Sequence, residues 1–395
     1  MSRATFYEHF GDFDDCFLAA VRRTVAPVRA DLEAVIGSAD PRPPWAIVAA
    51  ALGATERDPD AARLILLEAF GGSATVRAEQ EELLDLIEQS IDHYGALATE
   101  ARVEIPARAL LGGVGNQVVS CLVRREGRPS ELVGDLRRWV ACYRCGPAER
   151  RLGGEGWERL GKAWVEASAE PIAPRPSTTG ALPRGRSALS AEEVASAHRE
   201  RLIVAMARCA AEKGYLAMTV TDVVELAGVT RAAFYAQFRN KEDAFLATLS
   251  HGIQRAAEAV AGSFFTDGDW PDRVWDSLDS FASYIAANPD LAFAGTVEAF
   301  SAGPAAVRRT IDGRMAFTLF LEEGYRYRPE AEALPRICSG AISGAIEELL
   351  RRQIVRGRTT ESRELVPAMA FVALAPYVGA EQALDLVSER CREPA

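Results

Sequence analysis

The sequence predicts an all-α protein made of two tandem copies of one helical unit. Alanine, leucine, arginine and glutamate dominate its 395 residues, and all four favour the helix. Apolar residues recur at three- and four-residue spacing, as in Leu83-Leu84-x-Leu86-Ile87 and Ile346-x-x-Leu349-Leu350. That is the stripe of an amphipathic helix, and no sustained alternation suggests a strand. Finally, the chain repeats itself.

Residues 1–21 lie over 229–249 without a gap, at an offset of 228, with nine identities in twenty-one positions. The identities include Arg3/Arg231, Phe6/Phe234, Tyr7/Tyr235, Phe10/Phe238, Asp15/Asp243 and Phe17/Phe245. Downstream, Asp58-Pro59-Asp60 leads into Glu68-Ala69-Phe70 much as Asn288-Pro289-Asp290 leads into Glu298-Ala299-Phe300. Arg108 with Gly112 matches Arg336 with Gly340 at the first offset, and Glu131-Leu132-Val133 matches Glu364-Leu365-Val366 after a small insertion. Self-similarity of this kind marks a duplicated structural unit.

Composition excludes several classes. The chain is 48% hydrophobic and 26% charged, the balance of a soluble globular protein. It has no apolar run of about eighteen residues, so no membrane span is expected. Its first residues lack the apolar core of a secretory signal, so the cytoplasm is expected. Seven cysteines are an odd, scattered set, which argues against a disulfide framework. The pair Cys142-x-x-Cys145 has no second pair or nearby histidine to complete a metal site, and reads as inert thiols. No metal or cofactor is expected. Without a Gly-x-Ser-x-Gly elbow, a phosphate loop or a plausible triad order, neither is catalysis. The net charge is −11, yet Arg184–His251 carries nine basic and eight acidic residues. A near-neutral segment on an acidic remainder is compatible with DNA contact but decides nothing.

The segment after residue 189 holds the most specific pattern. Ser190-Ala191-Glu192-Glu193 is a capping box, in which the serine accepts the Glu193 N–H and Glu193 reaches back. A helix follows with Ile203, Met206, Ala207 and Ala210 on one face, ending near Gly214. Thr219 or Thr221 caps a short second helix. Ala227-Gly228-Val229 is a tight turn in which glycine admits a positive φ. Thr230 caps a third helix, Arg231–Ala236, and Asn240-Lys241-Glu242-Asp243 opens a long fourth. Val220, Val223, Leu226, Phe234 and Phe238 are expected in the core. Two short helices joined at a glycine turn form a helix-turn-helix.

Here the residues acquire a family likeness. Thr219-Val220-Thr221-Asp222-Val223, Ala227-Gly228-Val229-Thr230-Arg231, Phe234-Tyr235, Phe238 and Asn240-Lys241-Glu242-Asp243 resemble the DNA-binding signature of the TetR/AcrR family of transcriptional regulators. In that geometry the third helix enters the major groove with Thr230, Arg231 and Ala232 near base edges. Tyr235, one turn on, is placed for a phosphate. Thr219 or Thr221 and nearby N–H groups hold another, and Lys241 pairs with the DNA backbone as a point charge. The resemblance implies the same phosphate roles for Tyr235 and Lys241. Arg184 and Arg186 read either as a basic arm or as solvated linker charges.

The implied organisation has five parts: 1–24, remnant of a first head; 25–145, first body; 146–189, linker; 190–251, helix-turn-helix head; 252–395, second body. The linker is rich in proline and glycine, with an amphipathic piece around Trp157 and Trp164 expected to dock on a body. The first copy starts at the turn, without counterparts of Ser190–Gly228. Phe6, Phe10 and Phe17 are therefore expected to lack the two helices that would bury them. Met1 stands where the second copy has Val229, and a GTG codon serves both, so the gene is expected to begin further upstream. Phe13 replaces Lys241, which weakens any phosphate clamp there.

In the resembled family the bodies hold an inducer pocket and a two-helix dimerisation face. Pocket candidates are Trp275, Phe281, Tyr284, Phe293, Phe300 and Phe317, suited to a small apolar or aromatic inducer. The expected pairing faces are Ala107–Val123 with Leu132–Cys142 and Arg336–Arg351 with Leu365–Val378, joined in an intrachain pseudo-dimer or a homodimer. A ligand-responsive regulator of double-stranded operator DNA, a repressor in its simplest form, is the leading expectation. The alternative is a DNA-silent protein that binds a small molecule or a partner, because its first head is incomplete.

Overall fold

The computed structural model describes residues 3–36, 52–97, 105–124, 127–145, 153–167 and 190–392. Arg184 and Arg186 lie outside these residues. Every regular element among the described residues is a helix, and none of these helices is long and apolar enough to cross a membrane. Two compact units emerge. One comprises Met1–Trp164, Thr318–Leu349 and Pro367–Ala395; the other comprises Val165–Phe317 and Leu350–Val366.

In the first unit, helix Phe13–Ile36 packs along helix Ala74–Leu97 around Val21, Val25, Leu32, Ala69, Val76 and Leu83. The duplication is visible in its caps. The Asp15 N–H donates to Asp12 Oδ1 at 2.9 Å, and the Gly11 N–H to Asp15 Oδ2 at 3.1 Å. At the matching positions of the second copy, the Asp243 N–H donates to Asn240 Oδ1 at 2.8 Å and the Arg239 N–H to Asp243 Oδ2 at 2.9 Å. Burial separates the copies. Phe234, Phe238 and Phe245 are 0%, 3% and 0% exposed, whereas Phe6, Phe10 and Phe17 are only half-buried. Phe6 and Phe10 lean on each other with ring centres 5.5 Å apart, and Phe17 reaches the Val21 cluster.

The same unit brings helix Ala107–Arg124 of the first copy onto helix Ile337–Val355 of the second. They meet at glycine. A Cβ added to Gly112 would lie 2.5 Å from the Gly344 carbonyl oxygen, and one added to Gly113 would lie 2.9 Å from that of Ala341. Helix Gly153–Ala167 buries Trp157 and Trp164, and the Trp157 ring centre is 5.0 Å from that of Phe371. Neither Cys142 nor Cys145 is joined in a disulfide. Burial pushes Cys142 up to about 11, so it stays a thiol at neutral pH.

In the second unit four helices, Ala191–Lys213, Val220–Ala227, Arg231–Gln237 and Lys241–Phe264, enclose a core of Leu202, Met206, Ala210, Val223, Phe234 and Phe245. Lys241–Phe264 runs on to pack against Trp270–Ala287 and Pro304–Phe317. Arg363 fixes the turn Thr359–Leu365 on that body by donating to both Asp279 oxygens at 2.9 and 3.0 Å. A π-helical turn, Ala294–Glu298, interrupts the chain before Ala299. Extra residues of this kind often mark functional positions.

Candidate nucleic-acid interface

Local physical chemistry builds the head. Ser190 accepts the Glu193 N–H at 3.2 Å while Glu193 Oε2 accepts the Ser190 N–H at 2.6 Å, closing the capping box. The first helix ends at Gly214, with φ +78°. Thr219, not Thr221, is the cap of the second helix: its hydroxyl accepts the Asp222 N–H at 3.3 Å and donates to Asp222 Oδ2 at 2.8 Å. Gly228 closes the turn at φ +62°, ψ 39°, a conformation glycine enters without strain. Thr230 then accepts the Ala233 N–H at 3.1 Å and starts the third helix.

This arrangement turns the third helix outward. Phe234 is sealed in the core while Thr230, Arg231, Ala232 and Tyr235 are all exposed, Tyr235 by 54%. Thr219 and Thr221 are exposed beside them. All six residues are exposed to solvent. Leu226 is a correction to the core expected from sequence, being 43% exposed. The buried face of its two-turn helix is Val223, Val224 and Ala227, and Leu226 lies about a quarter turn away from it.

Lys241 is placed differently from the rest. Its Nζ donates to the carbonyl oxygens of Tyr215 at 2.8 Å, Met218 at 3.1 Å and Leu216 at 3.5 Å, and lies 4.4 Å from the Tyr215 ring centre. Burial lowers its pKa. The ammonium therefore ties down the turn that leads into Thr219. Asp222 brings an acidic charge to the N-terminus of the second helix. Its carboxyl is held down to about 2 by its hydrogen bond to Lys213, with Thr219 adding to the effect. That leaves Thr221 as the threonine of the pair whose side chain does not cap.

Sequence reasoning overlooked Glu298. This carboxylate on the π turn is 3% exposed and accepts the Tyr215 N–H at 2.7 Å. Body and head of the second copy thus share one loop, gripped by Glu298 through its N–H and by Lys241 through its carbonyls. The one signal was the repeat itself, since Glu298 aligns with Glu68.

The pocket candidates are partly gathered. Phe281 and Phe317 meet with ring centres 5.3 Å apart. Trp275 is buried on the same helix as Phe281 and Tyr284, while Phe293 and Phe300 are half-buried on either side of the π turn. Among the described residues the buried Tyr284 hydroxyl has no hydrogen-bond partner, and burial pushes it up to about 12. Arg314, about one turn before Phe317, is a half-buried residue that no motif singles out; desolvation of its guanidinium pushes it down to about 10.

A capped helix, a left-handed glycine turn and a third helix presenting its first residues to solvent define a helix-turn-helix. Residues 202–248 match the model for bacterial regulatory proteins of the tetR family. It is 38% identical over 66 residues to the HTH-type transcriptional repressor AcnR of Corynebacterium diphtheriae, a stretch covering 17% of this chain and 35% of AcnR. The chain thus spans about a third of the length of that relative. Among solved structures, the fatty acid degradation regulator FadR of Bacillus halodurans aligns at 20% identity and TM-score 0.41, covering 44% of this chain and 97% of FadR. PfmR of Thermus thermophilus aligns at 20% identity and TM-score 0.37, covering 45% of this chain and 95% of PfmR.

Proposed function

We propose that the chain is a ligand-responsive regulator of transcription, acting in the cytoplasm as a repressor that reads operator DNA through Thr219–Asp243. One observation carries this: Thr230, Arg231, Ala232 and Tyr235 stand on the solvent face of a helix whose Phe234 is locked inside. In a major groove the Arg231 guanidinium can take both acceptors of a guanine edge. Tyr235 and Thr221 donate to phosphates, positioning the helix without reading sequence. Lys241 reaches a phosphate only by releasing a carbonyl of the 215–218 turn, so its main part is to hold that turn.

The five-part organisation belongs to the same proposal, with a head at 190–251 and bodies at 25–145 and 252–395 descended from one ancestor. The paired helices Ala107–Arg124 and Ile337–Val355 then stand for the dimer face, closed within one chain as a pseudo-dimer. Supporting this, Arg108 Nε donates to Glu348 Oε1 at 2.6 Å and Asn116 Nδ2 to the Gly340 carbonyl oxygen at 2.7 Å. An apolar or aromatic inducer among Phe281, Phe317, Trp275 and Tyr284 would shift the population between DNA-binding and non-binding states.

The test is a mobility shift with DNA flanking the chain's own gene, followed by a footprint. A protected, sequence-specific site is expected. Only salt-sensitive, sequence-independent binding, or none, would favour the DNA-silent alternative. The half-burial of Phe6, Phe10 and Phe17 in the first copy keeps that alternative in view.

A further inference from the structure

The two copies meet through unlike residues. At the offset of 228, Asn116 corresponds to Gly344, Gly112 to Gly340 and Ser120 to Glu348. Asn116 and Gly344 are thus one position of the repeat, and they face each other. A Cβ added to Gly344 would stand 2.3 Å from the Asn116 Cβ and 2.7 Å from the Gly112 carbonyl oxygen. In a symmetric pairing the same residue faces itself across the dyad. Two asparagines would collide there, and two glycines would lose the bond from Asn116 Nδ2 to the Gly340 carbonyl.

A second contact is asymmetric for another reason. Pro376 lies inside helix Val366–Val378 and has no N–H, so the Val372 carbonyl has no donor four residues on. The Tyr143 hydroxyl of the first copy donates to that oxygen at 2.8 Å, and Trp139 Nε1 donates to the hydroxyl at 3.0 Å. With Glu131 on Glu364, Tyr143 is the counterpart of Pro376 itself. A first copy paired with itself would aim the tyrosine at the Trp139 carbonyl, which already accepts the Cys142 N–H. A second copy paired with itself would have proline on both sides and no donor on either.

A third contact follows suit. Buried Arg108 joins Glu348 at 2.6 Å, Glu81 at 2.7 Å and Asp85 at 3.3 Å. Its counterpart Arg336 is exposed, over the Tyr325 ring with Glu322 at 3.5 Å. Facing another first copy, Arg108 would meet Ser120 in place of Glu348.

We infer that these contacts form a heterotypic lock: the surface carrying Arg108, Asn116 and Tyr143 is built for the second copy's Gly340, Gly344, Glu348 and Val372 and fits neither surface's own kind. Its occupant is the other half of the same chain, held at high effective concentration by the intervening sequence, so the protein is closed to exchange with further copies. This rests on the pseudo-dimer reading, and two separate readouts keep the two ideas apart.

The experiment uses the full chain, with mass measured by light scattering after size exclusion and stability by thermal melting. The parent is expected at the mass of one chain, 42.7 kDa. A mass of two chains would overturn closure within one chain and the pseudo-dimer reading with it, a reciprocal exchange of halves included. Gly344→Asn should lower Tm by about 5 °C or more. Weak helix formation cannot explain such a loss, because asparagine has the higher helix propensity. Asn116→Gly should lower Tm less. The double variant, with the pair exchanged across the dyad, should recover at least half of the Gly344→Asn loss, the coupling expected of residues in contact. Parent-like melting of Gly344→Asn, or a double variant showing the sum of both losses, would overturn the lock.

Discussion

Glu298 and Glu68 are one position of the repeat in two environments, so truncating each to alanine tests how environment sets the worth of a carboxylate. Glu298 is 3% exposed and accepts the N–H of buried Tyr215 at 2.7 Å. Removing it strands that N–H, which costs about 1–3 kcal/mol, toward the upper end because the acceptor is charged. The Glu68 side chain is 53% exposed with Arg63 at 3.5 Å, a pair worth about 0–1 kcal/mol. In units of this size one kcal/mol moves Tm by about 2–4 °C. Circular dichroism melting of the full chain should show a drop of about 4–12 °C for Glu298→Ala and about 4 °C or less for Glu68→Ala. Glu298→Gln keeps an acceptor and should fall between them. Equal shifts for the two alanine variants would refute the claim that the π turn holds the head through Tyr215.

Two further outcomes concern the head. Thr219→Ala removes the cap of the second helix and should cost about 1 kcal/mol in urea unfolding; an unchanged midpoint would mean that Asp222 alone orders the turn. Asp222 has its folded pKa pushed below its ordinary value of 3.8 to about 2 by Lys213 and Thr219. The stabilisation is therefore complete above about pH 4 and disappears as pH falls toward 2. The parent's Tm should fall more steeply over that range than that of Asp222→Asn, and identical profiles would contradict the assignment.

Much of the head was legible because its determinants are local. Ser190 with Glu193, Thr230, Asn240 and Gly228 each act within four residues, and each sits where spacing placed it. The helix ends followed from the same signals. Lys241 was less legible: a four-carbon stem reaches a phosphate or a carbonyl equally well, and only the fold of the 215–218 turn decides between them. Leu226 was misplaced because a two-turn helix has too few residues to fix its buried face from periodicity. Glu298 was out of reach, since a π turn is a product of packing and a single glutamate carries no sign of burial. The repeat offset is explicit in the sequence. The opposition of Asn116 to Gly344 needed the two helices in contact, and Tyr143 on the Val372 carbonyl needed Pro376 to be seen inside a helix.

The most direct measurement of the central claim is fluorescence anisotropy of the parent and Arg231→Ala on the footprinted duplex and a scrambled one, at fixed salt. Arg231→Ala should lose about 1–3 kcal/mol on the footprinted duplex and almost nothing on the scrambled one, so that preference between them shrinks by about tenfold or more. If Arg231→Ala discriminates between the two duplexes as well as the parent, the helix that begins at Arg231 does not read the bases.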